Sequence, residues 1–406
     1  LPSTGQNRET RAVAITGMGI ISAIGNTVAE NLSGLRSSAS GIGNLEHITT
    51  SHASEIKVGE VKMTNAELAS MLHLTEEHNY TRTALLGAIA AKEALHNSGA
   101  DLKDTLRTGL ISSTTVGGMD MTEKYFKEFT SRPGTRKYIN SHLAGDSTQK
   151  IAAQLGITGF VTTVSTACSS AANAIMLGTR LIKAGKLDRV VVGGTDALSK
   201  FTINGFKSLM ILSDEACAPF DAHRKGLNLG EGAAYLILES EAVAKREKRY
   251  IMAWVRGYGN ANDAFHQTAS SPTGDGAYMA MKEALKTANL NAADIDYINA
   301  HGTATMNNDL SESEALIRIF GDHLPSFSST KSFTGHTLAA AGAVEAVFSV
   351  LALQEQTVFP NLNFSTAIAK TQLIPETRIQ KKKIRNILSN SFGFGGNCTS
   401  LIFGTL

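Results

Sequence analysis

A pattern that opens near residue 11 starts again near residue 249, and this restart constrains the fold more than any other feature of the chain. Arg11-Ala-Val-Ala-Ile-Thr-Gly-Met-Gly-Ile20 reads as a strand running into a glycine turn, and Arg249-Tyr-Ile-Met-Ala-Trp-Val-Arg-Gly-Tyr-Gly259 repeats it. The helical stretch 81–98 has an echo at 277–290, the strand 108–114 at 296–300, and the strand and helix 161–183 at 326–347. The strand 230–239 is echoed at 395–403. Identity between paired segments is weak, but the order of elements is kept. Two βα-rich halves are therefore expected, residues 11–247 and 248–406, in an α/β fold. A length of 406 residues exceeds one ordinary core and fits that division.

Several classes are excluded early. The formal net charge of +2 gives no reason to expect nucleic acid or a membrane surface as the main partner. Residues 339–353 are apolar but interrupted by Glu345 and too short to cross a bilayer, so they read as a core helix. Three cysteines, at 168, 217 and 398, form no disulfide framework and no zinc-ligand spacing, which fits a reducing cytoplasm. Gly17-Met-Gly19 lacks the third glycine and the acidic residue of a dinucleotide site. Leu1-Pro-Ser-Thr-Gly5 has the letters of a sortase signal at the wrong end, so residues 1–10 are expected to be a disordered leader or cloning remnant.

The stretch 161–175 carries the first chemistry. A β-branched run ends at Cys168, and residues 169–183 are small or apolar on nearly every side, as in a buried helix. Cys168 thus opens a helix, where unpaired N–H groups and the macrodipole favour a thiolate and offer donors to an oxyanion. The same cysteine also reads as a small buried hydrophobe.

Two histidines in the second half stand at element boundaries. Residues 295–301 form a strand ending in His301-Gly-Thr-Ala-Thr305. Ser329-Thr-Lys331-Ser-Phe-Thr-Gly-His336 reads as a strand, a glycine turn and a histidine opening an alanine-rich helix. Strand ends are where open α/β sheets bind ligands. If the halves are duplicates, the segment 331–336 is the counterpart of the Cys168 junction, and both face one cleft. Each histidine also reads as an ordinary cap or core residue, and Lys331 as a surface charge. Glu345 within an apolar helix demands a partner, and Lys331 is the natural one.

Thr166-Ala-Cys168-Ser-Ser, His301-Gly-Thr-Ala-Thr305, Lys331-Ser-Phe-Thr-Gly-His336 and Asn390-Ser-Phe-Gly-Phe-Gly-Gly-Asn397 together resemble the four signature segments of β-ketoacyl-[acyl-carrier-protein] synthases of the ketosynthase I/II type. The resemblance runs from about residue 11 to the end of the chain. It implies the thiolase-like fold, a five-layered α-β-α-β-α arrangement of two duplicated halves, and usually a homodimer. It implies that Cys168 takes an acyl group from a carrier protein's phosphopantetheine arm, and that malonyl-carrier protein then loses carbon dioxide and condenses with it. His301 and His336 would stabilise the enolate, Lys331 held by Glu345 would orient that region, and the N–H groups of Cys168 and Phe394 would form an oxyanion hole. No cofactor is implied.

By the same resemblance Thr303 and Thr305 hold the pantetheine arm, Phe394 gates the nucleophile, and Val116 ends the acyl channel, although Val116 also reads as core packing. Arg136, Lys137 and Lys207 fall where the acidic carrier protein docks. The chain departs from the pattern at Leu72-His-Leu-Thr-Glu-Glu-His78, where basic residues are usual, at Met210, and at Arg224-Lys-Gly-Leu-Asn-Leu-Gly230. These departures point to a dedicated carrier protein. They keep open a specialised polyene or polyketide pathway in which the chain pairs with a chain-length homologue. A non-catalytic acyl-binding homologue is disfavoured by Cys168 itself.

Overall fold

A computed structural model describes residues 12–405, so the expectation for residues 1–10 lies outside the described residues. The first half supplies β1 (Val13–Ile21), α1 (Arg82–Ser98), β2 (Thr108–Ser113), α2 (Ala144–Leu155), β3 (Phe160–Val164), α3 (Ser170–Lys183), β4 (Arg189–Asp196) and β5 (Gly232–Ser240). The second repeats the series as β6 (Ala253–Asn262), α4 (Asp275–Ala288), β7 (Tyr297–Asn299), α5 (Met306–Phe320), β8 (Ser326–Ser328), α6 (Ala341–Glu355), β9 (Asn386–Phe392) and β10 (Asn397–Gly404).

The sheet order makes the repeat explicit: β8-β7-β9-β10-β6-β1-β5-β4-β2-β3, the same sequence of roles read outward from the centre. In each half one strand, β2 or β7, runs parallel to both neighbours, while β5 and β10 run antiparallel to theirs. The half-sheets meet where β1 pairs with β6 through only Ala14–Trp254 and Ile15–Ala253. Helices α3 and α6 touch each other and both half-sheets, α1 and α2 cover the outer face of the first, and α4 and α5 that of the second. This is the five-layered thiolase-like arrangement.

The glycines of the repeated opening motif lie inside strands, not in a turn. A Cβ on Gly17 or Gly19 would sit 2.3 or 2.1 Å from the carbonyl oxygens of Ala94 and Ala90 on α1. A Cβ on Gly257 or Gly259 would meet Ala284 and Ala280 of α4 at 2.4 and 2.1 Å. Glycine is needed in both halves because the outer helix lies directly on the strand. For the same reason α1 is deeply covered: every residue from Arg82 to Ala91 is buried, pressed between the sheet and α2.

The central layer holds the core. Helix α6 is buried from Ala341 to Leu353, and each fully buried aliphatic or aromatic side chain there contributes roughly 1.5–3 kcal/mol. With the turn before it, the helical run Leu338–Glu355 reaches 18 residues, long and apolar enough by composition to cross a bilayer. Of this run 89% is buried inside the protein, so it is a core element although longer than the sequence suggests. The polar stretch 124–141 folds into short helical turns, including Met119–Tyr125 and Pro133–Tyr138, over the outer face of the first half.

Candidate active site

Cys168 stands on a sharp elbow between β3 and α3. Ala167 adopts a left-handed backbone, φ +53°, which costs a non-glycine residue about 1 kcal/mol or more. The elbow is held locally, since Thr166 N–H donates to Ser170 Oγ at 2.8 Å and that hydroxyl donates to Ala167 C=O at 2.5 Å. Ser169 is the N-cap of α3, so Cys168 lies one residue outside the helix.

The thiol is only 7% exposed and opens on a cavity of about 250 Å³, whose wall also includes His301, His336, Thr303, Thr305, Phe206 and Phe394. Burial pushes its pKa up to about 11, with Lys331 and the Phe394 N–H opposing the shift only in part. The sequence reading has the helix end favour a thiolate; burial acts in the opposite direction. Cys168 rests as a thiol.

Both histidines come from the second half. His301 follows β7, where the Glu312 carboxylate on α5 accepts the N–H groups of His301 and Gly302 at 2.9 and 2.8 Å. Its ring Nδ1 lies 3.3 Å from Lys331 Nζ. An ammonium only donates, so Nδ1 accepts and the ring proton resides on Nε2. His336 is strung beside residues 228–230: its N–H donates to Asn228 C=O at 2.8 Å and its C=O accepts from Gly230 at 2.9 Å. Its Nδ1 is buried and has no hydrogen-bond partner among the described residues. The rings are 5.4 Å apart and perpendicular. Burial first, then the Lys331 charge, lowers both histidines well below the ordinary value, so both are neutral at physiological pH.

Behind His301, Lys331 Nζ and the Glu345 carboxylate form a buried ion pair, with Ser391 Oγ donating to the other Glu345 oxygen at 3.3 Å. Lys331 lies in a one-turn helix, Lys331–Thr334, where the sequence suggested a strand. His336 does not open the long helix, because a second left-handed residue, Leu338 at φ +52°, intervenes and α6 begins at Ala341. The topological counterpart of Cys168 is therefore Ala339, not the 331–336 segment. The Ala339 N–H donates to the buried Asp196 carboxylate at 2.9 Å. That carboxylate also binds the hydroxyls of Thr114 and Thr115, each at 2.5 Å.

The fourth motif forms a turn whose glycines Gly395 and Gly396 both take φ +84°. It aims the Phe394 N–H at the Cys168 sulfur and stacks the Phe394 ring on Phe206 at 5.9 Å. Thr303 and Thr305 line the cavity with their hydroxyls 3.0 Å apart.

The remaining expected residues lie elsewhere. Val116 does not line the cavity. It packs on an apolar cluster with Leu198, Ile203 and Leu338, a cluster that Phe206 of the cavity wall also touches. Arg136 donates to the carbonyls of Phe129 and Thr130, and Lys137 to that of Glu77. Lys207 is ion-paired with Glu55 on the helix Lys200–Ser208 that carries Phe206. Met210 is 89% exposed at the rim of the cavity. Sequence reasoning missed Phe206, Asp196, Glu312 and Asn397. Asp196 closes a largely apolar run and carries the same signal that singled out Glu345, whereas Glu312, between Ser311 and Ser313, carries none.

A buried thiol on a strand–helix elbow, facing two neutral histidines in a duplicated five-layered fold, defines a thiolase-like acyl-transferring enzyme. The model of the β-ketoacyl synthase N-terminal domain matches residues 10–244, and that of the C-terminal domain matches residues 252–365. The chain belongs to the β-ketoacyl synthase family and is an acyl-transferring condensing enzyme. It is 33% identical to 3-oxoacyl-[acyl-carrier-protein] synthase 2 of Staphylococcus aureus (strain N315), over 97% of the chain and 98% of that relative. It is 36% identical to nodulation protein E of Rhizobium meliloti (strain 1021), over 97% and 99%. Among solved structures it resembles the ishigamide ketosynthase/chain length factor, with TM-score 0.91 and 30% identity over 98% of the chain and 100% of that one. A ketosynthase in complex with its chain length factor from Xenorhabdus doucetiae gives TM-score 0.87 and 31% identity, over 99% and 100%.

Proposed function

We propose that the chain is a β-ketoacyl-[acyl-carrier-protein] synthase that elongates fatty acyl chains with malonyl units. The observation that carries this reading is the convergence of Cys168, His301, His336 and the Phe394 N–H on one cavity. Cys168 sulfur attacks the carbonyl of an acyl thioester, the developing oxyanion is held by the N–H groups of Cys168 and Phe394, and the pantetheine thiol leaves with a proton. With a thiol pKa of about 11, ionisation at pH 7 costs on the order of 5 kcal/mol, so the proton departs as attack proceeds. The leaving pantetheine sulfur takes it up; His301 cannot, because Lys331 occupies Nδ1 and Nε2 already carries the ring proton.

A malonyl thioester then enters past Thr303 and Thr305. Its carboxylate leaves as carbon dioxide, and the electron pair of the broken bond forms an enolate. Neutral histidines suit this step because they donate a hydrogen bond to the enolate oxygen without surrendering a full proton. Lys331 fixes that role for His301 by occupying Nδ1. The enolate carbon attacks the acyl-cysteine, the carbon–sulfur bond breaks, and the released Cys168 thiolate takes up a proton from solvent, leaving a 3-oxoacyl thioester. No cofactor takes part in this scheme.

The cognate partner in this reading is an acidic acyl carrier protein bearing phosphopantetheine. Assembly is proposed as a homodimer in the cytoplasm, through the edge strand β3, which has no strand partner on its outer side among the described residues and exposes Phe160 by 43%. A second reading is a ketosynthase of a specialised polyene or polyketide pathway paired with a chain-length homologue. It is favoured by the rim, where Lys207 and Lys225 are neutralised by Glu55 and Glu215 and Met210 is exposed. Incubation with acyl-carrier proteins of graded chain length, followed by intact-protein mass spectrometry, tests the function. His301→Ala and His336→Ala should lose condensation while keeping self-acylation, and equal loss of both half-reactions contradicts the roles given.

A further inference from the structure

We infer that Asn397 is a positioning residue that sets the distance between the two oxyanion donors; the inference rests on the acyl-transfer reading above. The two N–H groups belong to different halves, Cys168 on the elbow before α3 and Phe394 on the turn before β10. Nothing in the covalent chain fixes one relative to the other. Loss of one such donor typically costs about 10²–10³ in rate, so their spacing must be held closely.

Asn397 is attached to both. Its backbone C=O accepts the Gly393 N–H at 2.8 Å and so closes the turn that presents Phe394. Its side-chain Oδ1 accepts from Ser169 Oγ at 2.7 Å, the residue directly after Cys168, and from Asn173 Nδ2 at 2.8 Å, one turn further along α3. A third donor, Asn260 Nδ2 on β6, reaches the same oxygen at 3.0 Å.

The donors are themselves ordered. Asn173 Nδ2 also donates to Thr166 Oγ1 at 2.9 Å on the other side of the elbow. Asn173 Oδ1 receives Thr399 Oγ1 at 2.9 Å and Asn260 Nδ2 at 3.1 Å. Ser169 Oγ, in turn, lies 2.8 Å from Thr166 C=O. One amide oxygen thus ties the start of the nucleophile helix to the turn of the opposite half. The two backbones are already in close approach: a Cβ on Gly393 would lie 3.2 Å from Cys168 N. Asn397 itself does not line the cavity and touches no reacting atom.

The test compares two reactions of Cys168 in the full-length protein. Acylation by octanoyl-pantetheine passes through an oxyanion; alkylation by iodoacetamide does not. Asn397→Ala should slow acylation roughly 10–100-fold in kcat with KM within about twofold, while alkylation stays within about threefold. Ser169→Ala, which removes one donor to Asn397 together with the Ser169 contacts to Thr166 and leaves the Asn173 and Asn260 donors to Asn397, should slow acylation several-fold and serves if Asn397→Ala does not fold. Acylation by either variant at the wild-type rate overturns the inference, and so does a parallel fall of acylation and alkylation. A wild-type protein that is alkylated but never acylated counts instead against the proposed function.

Discussion

Each half of the molecule passes from its outer strand into a central helix through a left-handed residue, Ala167 at φ +53° in the first half and Leu338 at φ +52° in the second. Only the first elbow carries a thiol. At the second, Ala339 takes the cysteine's place and its N–H is bound by the Asp196 carboxylate of the first half. At the first, no carboxylate among the described residues bonds the elbow, and the residue after Cys168 is fastened by the neutral amide of Asn397 from the second half. The difference teaches that elbow geometry is scaffold and chemistry is assigned by what surrounds it. A carboxylate against the first elbow would oppose both a thiolate and an oxyanion, whereas an amide positions without adding charge. In return the second half supplies both histidines and the Lys331–Glu345 pair, so neither half is a site alone.

The comparison can be broken in order of expected effect. Between pH 7 and 10 the rate of Cys168 alkylation should rise about tenfold per pH unit, roughly 10³ overall, because burial holds the thiol pKa at about 11 and the thiolate fraction grows throughout that window. A plateau near pH 7, read by iodoacetamide kinetics, restores the activated thiolate. Lys331→Ala leaves Glu345 buried and unpaired and should lower unfolding free energy by about 3–5 kcal/mol in denaturant titration. Asp196→Ala strips acceptors from Ala339, Thr114 and Thr115 and should cost about 2–3 kcal/mol. The smallest effect sharpens the contrast with the surface. Lys207→Ala removes a half-exposed ion pair with Glu55 and should change stability by less than about 1 kcal/mol.

Much of this was legible in the chain. The restart at residue 249 predicts the duplicated sheet, and Cys168, His301 and His336 stand out because each interrupts an apolar pattern at an element boundary. Glu345 declares its need for Lys331 in the same way. What the pattern does not carry is distance and solvent. The thiol pKa is decided by burial, which only the packed central layer creates. The glycines at 17 and 19 read as a turn because close helix–strand contact and a tight turn both select glycine. Asn397 looks like one more polar residue after a glycine run until two halves close on it. Val116 reads as a channel end only by resemblance, and Phe206, which does line the cavity, belongs to a helix with no motif of its own.

The central claim is that the first elbow alone carries the acyl group. Peptide mass spectrometry after incubation with octanoyl-pantetheine tests it on the wild-type chain, on Cys168→Ala, and on Cys168→Ala combined with Ala339→Cys. The account predicts one octanoyl group on the peptide containing Cys168 in the wild type and none in either variant, because a thiol at the second elbow meets Asp196 in place of the Phe394 turn. An octanoyl group retained after Cys168→Ala, whether on Cys217, Cys398 or elsewhere, contradicts it.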